Sequence, residues 1–307
     1  MTQPINQHWV PQFYLKCFST PETRKTKNPK AWIFSKNSED GGPSLTNIRN
    51  ICAKRYLYSP ISADGQRDWE LESKLNGLES LLTSIWPSIA EGFIDLQNES
   101  IRKSIALFVS VMHLRHPDGL KEATELHHHL VQIIKEAPKK VDGTPEISFV
   151  QVNGESHEFD TSDFQDYYDW SGNDHHRFFV STIHSEAKFL AKILLKKRWS
   201  VIFSDTPVFV TSDRPVEKQH QTKKTFGFGT EGTIISFPLS PTRLLIMDDK
   251  HGEPASQYYP LKNNDDAGPF NLLIWRNGSR FMISPRNIDE VLAEIDQWAY
   301  EFKKGMV

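Results

Sequence analysis

The sequence predicts an α+β fold in which a mostly antiparallel sheet packs against a block of helices. The predicted elements run from a small N-terminal β part through a block of helices to a strand-rich C-terminal part. Short turns join consecutive strands there, and antiparallel pairing permits such turns whereas parallel pairing does not. The chain has 307 residues and 38% of them are hydrophobic, so we expect residues 1–307 to form a single large domain.

We expect the stretch Arg198–Val216 to organise the rest of the chain. Apolar and polar side chains alternate over Trp199–Ser204, which is typical of a half-buried strand. Asp205-Thr206-Pro207 has turn chemistry, and Val208–Thr211 predicts a second, buried strand. Asp213 follows that strand. It either caps a turn by accepting backbone hydrogen bonds or serves as a metal ligand or general base on a rigid strand end.

The N-terminal block His8–Phe18 predicts a short amphipathic helix that begins near Gln12, with Pro11 in its first turn. His8 lies just before this helix. Two interpretations are open for its imidazole: a packed or capping histidine, or a base or ligand that the helix start positions. Ala31–Phe34 is strand-like.

The first long helix begins at Asp68, because leucines recur from there at three- and four-residue steps. Glu72 and Glu79 are seven residues apart and therefore share one face. They are either solvated rim residues or a pair that flanks a metal or a basic substrate. Pro87 predicts a kink or a break in this helix.

Two further helices are predicted over Glu99–His116 and Glu122–Lys135. Arg115 lies near the end of the first, where the helix dipole favours a cation, and its charge could also neutralise a bound anion. The other helix carries His127, His128 and His129. Three adjacent histidines point in different directions around a helix and cannot all bind one ion, so we interpret them as a surface feature.

Residues 137–174 form the least regular part and predict an insertion. Within it, Ile147–Val152 and His157–Phe159 predict a hairpin across Asn153-Gly154. The long apolar stripe after it predicts a helix over His176–Lys197.

The C-terminal part predicts four short strands and a closing helix. Asn277-Gly278 is a hairpin signal between the last two strands. The predicted strands are Thr233–Phe237, Arg243–Met247, Asn271–Trp275 and Arg280–Ser284, and the helix is Ile288–Phe302. Phe226–Gly229 lacks the lysine and helix of a phosphate-binding loop.

Composition excludes several classes of protein. The net charge of -3 gives no global basic footprint for nucleic acid, although a local groove is compatible with it. The first residues lack the pattern of a signal peptide, and no apolar segment approaches the length that spans a bilayer. We expect no membrane partner. The two cysteines, Cys17 and Cys52, are then expected to be free thiols in a reducing cytoplasm, and their spacing predicts no structural zinc site.

Several motifs occur in an order that resembles the bacterial family catalogued as domain of unknown function 4238. They are H-W-V-P-Q-F-Y-L-K-C-F, L-E-S-K-L-N-G-L-E, R-H-P, W-S-V-I-F, F-V-T-S-D-R-P, F-P-L-S-P and R-F-M-I-S. The resemblance spans nearly the whole chain. It implies no activity, because the family has none assigned. It does single out six polar landmarks: His8, Glu72, Glu79, Arg115, Asp213 and Asn271.

One functional hypothesis is a metal-dependent phosphodiesterase or nuclease-like hydrolase from an accessory or defence locus, with nucleic acid as its partner. Glu72, Glu79 and Asp213 would bind Mg²⁺ or Mn²⁺ through carboxylate oxygens. His8 would act as base or ligand, and Arg115 would bind phosphate. The chain lacks an acidic-x-Lys pair after Asp213, and it lacks the G-x-S-x-G motif of serine hydrolases.

The alternative is a non-catalytic module that binds or regulates a protein partner, through the aromatic segment Phe164–Trp170. The polar landmarks would then form a buried network that fixes the packing. Arg115 would pair with Glu72 or Glu79, and Asp213 would cap its turn. Geometry separates the hypotheses. Carboxylates that converge on an open cleft favour an enzyme, and carboxylates already satisfied by Arg115 and backbone donors favour a module.

Overall fold

The computed structural model describes residues 4–37, 42–146, 149–152, 155–158 and 168–304. The helices in these residues are α1 (Gln12–Cys17), α2 (Glu70–Glu91), α3 (Glu99–Leu114), α4 (Asp118–Glu136), α5 (Gly172–Lys196), α6 (Gly268–Asn277) and α7 (Ile288–Lys303). The strands are β1 (Asn6–His8), β2 (Lys30–Ser35), β3 (Ser44–Asn47), β4 (Ala53–Arg55), β5 (Phe149–Val152), β6 (Glu155–Glu158), β7 (Arg198–Phe203), β8 (Thr211–Ser212), β9 (Glu217–His220), β10 (Thr233–Ser240), β11 (Arg243–Asp248), β12 (Gln257–Pro260) and β13 (Phe281–Ser284).

The predicted α+β class is confirmed. A five-stranded sheet has the order β12-β7-β11-β10-β9. The register pairs Val201 of β7 with Leu245 of β11, and every neighbouring pair is antiparallel except β12 with β7. The alternation predicted for β7 places Trp199 and Val201 in the core.

A four-stranded antiparallel sheet gathers strands from distant parts of the chain, in the order β3-β2-β13-β8. The N-terminal strand β1 pairs instead with β4, which brings His8 opposite Ala53. A separate pair, β5 with β6, confirms the hairpin predicted after residue 146. Its predicted turn at residues 153–154 lies outside the described residues.

The predicted second strand at Val208–Thr211 is wrong for most of its length. Regular pairing covers only Thr211 and Ser212, and β8 lies in a different sheet from β7. The reason is that other groups satisfy the backbone before β8. The N–H groups of Val208 and Phe209 donate to the Pro241 carbonyl over 2.8 and 2.9 Å.

The strand predicted at Asn271–Trp275 is also wrong, because these residues lie in α6. Pro269 in the first turn suits a helix start, and a short apolar run does not by itself distinguish strand from helix. Asn277-Gly278 is the end of that helix and not a hairpin. In α2 the helix continues through Pro87 to Glu91, so no break occurs there.

The other long helices confirm their predictions within a few residues at each end. In α5, Ser171 and Asp174 form a reciprocal cap that starts the helix. The largest hydrophobic core packs α1, α2, α3 and α5 against the five-stranded sheet. No helix in the described part of the chain is both long and apolar enough to cross a membrane.

Tyr14 ties this core to both sheets. Its hydroxyl contacts Thr211 Oγ1 at 2.8 Å in β8 and donates to the Pro238 carbonyl at 2.8 Å in β10. The ring stacks on Phe237 with centroids 5.4 Å apart. Helix α1 is therefore fixed in position by residues that come about two hundred positions later in the chain.

Candidate active site

Four of the predicted site residues line one pocket: His8, Glu72, Glu79 and Arg115. The pocket has a volume of about 330 Å³ and lies between β1, the start of α1 and one face of α2. Its other lining residues are Pro4, Asn6, Gln12, Phe13, Asn76, Ser80 and Thr83. The lining is rich in polar groups, as a site for a polar substrate requires.

Helical spacing explains how α2 supplies its share of the pocket. Glu72, Asn76, Glu79 and Thr83 recur at four, three and four residues, so they lie along one face. Seven residues correspond to about 10 Å of helix, which leaves space between the two glutamates for a small polar group. The adjoining face buries leucines such as Leu75 and Leu82 in the core.

Glu72 is buried, with only 6% of the residue exposed, and few hydrogen-bond donors reach its carboxyl group. Among the residues that the structure describes, its one hydrogen bond is a long one, 3.4 Å from Asn76 Nδ2. Burial raises the pKa of Glu72 to about 6; nearby Arg115 lowers this pKa and Glu79 raises it. Glu72 is thus partly protonated near neutral pH.

Arg115 caps the C-terminus of α3 and is 1% exposed. Its Nη1 donates to Glu79 Oε1 over 2.9 Å, and its Nη2 donates to the His8 carbonyl. The Tyr58 hydroxyl donates to the Arg115 carbonyl over 2.7 Å. Burial lowers the pKa of Arg115, but the nearby Tyr58, Glu79 and Glu72 raise the pKa above its ordinary value, so the guanidinium stays charged.

His8 is positioned by β1 and by Arg115. Its Nε2 lies 3.2 Å from the Arg49 carbonyl, and because a carbonyl only accepts, Nε2 is the donor. The neutral ring then carries its lone pair on Nδ1. Burial lowers the pKa of His8; the Arg49 carbonyl raises this pKa and Arg115 lowers it. His8 is therefore mostly neutral at pH 7, as a general base must be.

Asp213 lies outside this pocket and is 1% exposed. Its carboxylate accepts hydrogen bonds from the backbone N–H groups of Ser279, Arg280 and Phe281 over 2.9, 2.9 and 3.3 Å. His116 Nε2 is 3.5 Å from Asp213 Oδ2. These surroundings favour a turn cap over a metal ligand. The R-H-P motif is divided between the two places, with Arg115 at the pocket and His116 beside Asp213.

Asn271 is likewise part of the packing. Its Nδ2 donates to the Val208 carbonyl over 2.9 Å, and its Oδ1 accepts from the Val210 N–H over 3.1 Å. The side chain thus replaces a strand partner for the extended segment before β8. The landmark set therefore divides into four pocket residues and two residues that hold backbone.

Asn76 was not singled out from the sequence, although its place four residues after Glu72 is a signal that helical spacing provides. Tyr58 carries no comparable signal in the sequence. Its contact with Arg115 joins residues 57 positions apart, and no local pattern encodes it.

The pocket offers oxygen donors for a cation. Glu72, Glu79 and the amide of Asn76 are the ligand types that Mg²⁺ and Mn²⁺ prefer. The proposed set of three carboxylates is not assembled, because Asp213 lies elsewhere.

A larger cavity, of about 780 Å³, adjoins α4 and α5 and is lined in part by His113 and Arg214. Burial lowers the pKa of His113 to about 3, helped by Lys218 and Arg214. Such an imidazole is too weak a base for general catalysis at neutral pH. The smaller polar pocket is therefore the better candidate site.

Comparison with known proteins identifies a family for this chain but no activity. The family model described as "Protein of unknown function (DUF4238)" matches residues 6–287. No curated protein and no solved structure matches the chain. The matched range includes every residue of the pocket except Pro4.

Proposed function

The chain belongs to the DUF4238 family of proteins of unknown function, and we propose that it is a hydrolase whose acid and base are Glu72 and His8. The observation that carries this proposal is that one polar pocket is lined both by a buried residue with a partly protonated carboxyl, Glu72, and by a mostly neutral histidine, His8. Environments that shift the pKa values of two neighbouring groups in opposite directions are how enzymes assign the acid and the base.

In the proposed reaction, His8 Nδ1 takes a proton from water and the water oxygen forms a bond to the substrate. The bond to the leaving oxygen breaks, and Glu72 gives its proton to that oxygen. The proton on His8 then returns to Glu72 through water. A general acid or base in such a position contributes about 10² to 10⁴ in rate.

The substrate class we propose is a phosphodiester. Arg115 supplies a permanent positive charge beside the acid, and a charge held in a buried position is preorganised to stabilise negative charge that develops in the transition state. The oxygen donors of Glu79 and Asn76 suit Mg²⁺ or Mn²⁺, so the assay includes these ions.

The test is hydrolysis by the purified protein, with and without Mg²⁺, Mn²⁺ or a chelator. The substrates are bis-p-nitrophenyl phosphate and single- and double-stranded DNA and RNA. We expect activity to be highest near pH 6 and to fall above it, as Glu72 loses its proton. Glu72→Gln should lower kcat by about a hundredfold or more.

Glu70→Gln is the matched control, because Glu70 lies on the same helix and its side chain is 68% exposed beside Lys74. It should retain wild-type activity. Two results would contradict the proposal: a wild-type protein that cleaves none of the substrates, or a folded Glu72→Gln variant that is as active as the Glu70→Gln variant.

A second candidate is the non-catalytic module, and a specific observation favours it. Both terminal nitrogens of Arg115 are occupied by Glu79 and the His8 carbonyl, and three backbone N–H groups satisfy Asp213. In such a protein the pocket residues would serve packing alone. Glu72→Gln would then leave every function unchanged, and the search would turn to protein partners.

A further inference from the structure

A second cluster of functional side chains lies where α4 meets α5. His127 and His128 are adjacent on α4, and His175 is in the first turns of α5. Each offers one ring nitrogen, and the three nitrogens lie within 4.8 Å of one another. Within the described residues this is the one group of three or more potential metal ligands, and it shares no residue with the pocket at Glu72.

Two of the three imidazoles are held in place. His127 and His175 are buried, and His175 Nε2 lies 2.9 Å from His127 Nδ1. Trp170 stacks on the His127 ring, with centroids 4.5 Å apart and planes inclined by 6°. His128 is exposed, so its ring is able to turn. A rigid pair beside an adjustable third ligand is a suitable arrangement for closing on an ion.

The spacing is close to that of a metal site. Two ligand nitrogens bound to one tetrahedral Zn²⁺ are about 3.3 Å apart, since each Zn–N bond is about 2.0–2.1 Å. The 2.9 Å contact between His175 and His127 is slightly shorter and fits a hydrogen bond in which one ring donates N–H to the other. An ion replaces that shared proton at the cost of a small outward shift of the rings.

We propose that His127, His128 and His175 bind a first-row transition ion such as Zn²⁺, with a solvent molecule in the fourth position. Imidazole nitrogens suit Zn²⁺, Cu²⁺, Ni²⁺ and Co²⁺, whereas Mg²⁺ and Ca²⁺ prefer oxygen. Binding forms three metal–nitrogen bonds. The buried ring that donates the shared N–H changes tautomer, so its proton moves through solvent to its other nitrogen and each histidine binds the ion as a neutral imidazole.

The site has a mechanical consequence, because it joins the middle of α4 to the first turn of α5. A bound ion therefore ties α4 to the start of α5, which begins at the end of the irregular segment predicted at residues 137–174. Sequence reasoning on the three-histidine run missed this, because the third ligand is His175 on another helix and not His129. The interpretation of the run as a surface feature is wrong for His127, which is buried.

The test is a titration of the untagged full-length protein with Zn²⁺ in competition with a chromophoric chelator. A Co²⁺ titration in parallel gives visible bands that report a nitrogen-bound ion. We expect one Zn²⁺ per chain. His128→Ala, at an exposed position that the fold tolerates, should weaken Zn²⁺ binding at least tenfold. His175→Gln should do the same. His129→Ala is the matched control and should bind as the wild type does.

Two results would overturn the proposal. One is a wild-type protein that takes no Zn²⁺ from the chelator. The other is equal Zn²⁺ affinity in the His128→Ala and His129→Ala variants, which would place any bound ion elsewhere, for example at a cysteine. Glu72→Gln should leave Zn²⁺ binding unchanged. The proposed metal site and the proposed hydrolase activity are therefore tested independently of each other.

Discussion

Two buried carboxyl groups show how donors decide the chemistry of a single residue. Asp213 and Glu72 are both almost fully buried, at 1% and 6% exposure. Three backbone N–H groups donate to Asp213, whereas Glu72 receives a single long hydrogen bond from Asn76 within the described structure. A carboxylate stabilised by several donors is suited to structure, and one left with few is suited to proton transfer.

The pH dependence of stability should reveal Glu72. Its pKa in the folded protein is raised from 4.5 to about 6, so the folded state holds this proton more tightly than the unfolded state does. The stability that Glu72 contributes is therefore fully present below about pH 4.5 and is lost as pH rises through about 6. Because Glu72 lines an open pocket, solvent screening reduces this loss to about 1 kcal/mol.

The measurement is urea unfolding of the wild type and of Glu72→Gln at a series of pH values. The wild type should lose stability relative to the variant as pH rises over this window. A difference that stays constant, or that grows in favour of the wild type, would show that Glu72 is not a buried acid with a raised pKa.

At the scale of single residues, the sequence predicted part of the candidate site in the pocket. The seven-residue spacing placed Glu72 and Glu79 on one face of a helix, and both line the pocket. The environment of Asp213 could not be predicted, because its three donors come from residues 279–281, more than sixty positions away. No periodic pattern encodes such a contact.

At the scale of elements, Asp213 holds the turn that leads from α6 into β13. The helix ends at Asn277, and β13 begins at Phe281. The N–H groups of residues 279–281, at the start of β13 and just before it, donate to one carboxylate that follows β8. A single side chain thus joins a turn to the end of a neighbouring strand.

We expect Asp213→Asn to destabilise the protein by about 1–3 kcal/mol. In the variant one carboxylate oxygen becomes an NH₂ group, which cannot accept a hydrogen bond, so a buried backbone N–H is left without its acceptor. Urea unfolding measures the effect. Asp205→Asn is the control, since Asp205 lies in the exposed turn after β7. Equal stabilities of the two variants would exclude the capping role.

Elements with long periodic patterns were predictable, and so were several short strands, but the short apolar run of α6 was not. The apolar stripes of α2, α3 and α5 span four or more turns, and each prediction is confirmed. The α6 segment has only ten residues, and its apolar run fits a strand as well as a helix. Its packing beside β8 and α7 settles the matter, and those contacts come from other parts of the chain.

At the scale of the whole molecule, the buried hydrophobic residues of the described chain form one large core and two smaller ones. The large core extends from Trp9 to Ile283 and so includes residues from both ends of the chain. A smaller core packs α6 and α7 beneath the four-stranded sheet, with Val210, Ile274 and Val291 among its residues. Both cores draw on the same sheet, which supports cooperation between them.

We expect a single unfolding transition, as the single-domain prediction requires. Scanning calorimetry should give a calorimetric enthalpy equal to the van't Hoff enthalpy, since a two-state transition has this property. Two resolved transitions, or a calorimetric enthalpy well above the van't Hoff value, would show that the smaller core unfolds on its own and that the chain comprises two units.

The hydrogen bonds of Tyr14 have a consequence for the order of events during translation. The four predicted site residues that line the pocket, from His8 to Arg115, leave the ribosome in the first part of the chain. The groups that hold α1 in place, Thr211 and the carbonyl of Pro238, are made much later. A nascent chain that ends before Pro238 therefore carries the chemical groups of the pocket without the frame that aligns them.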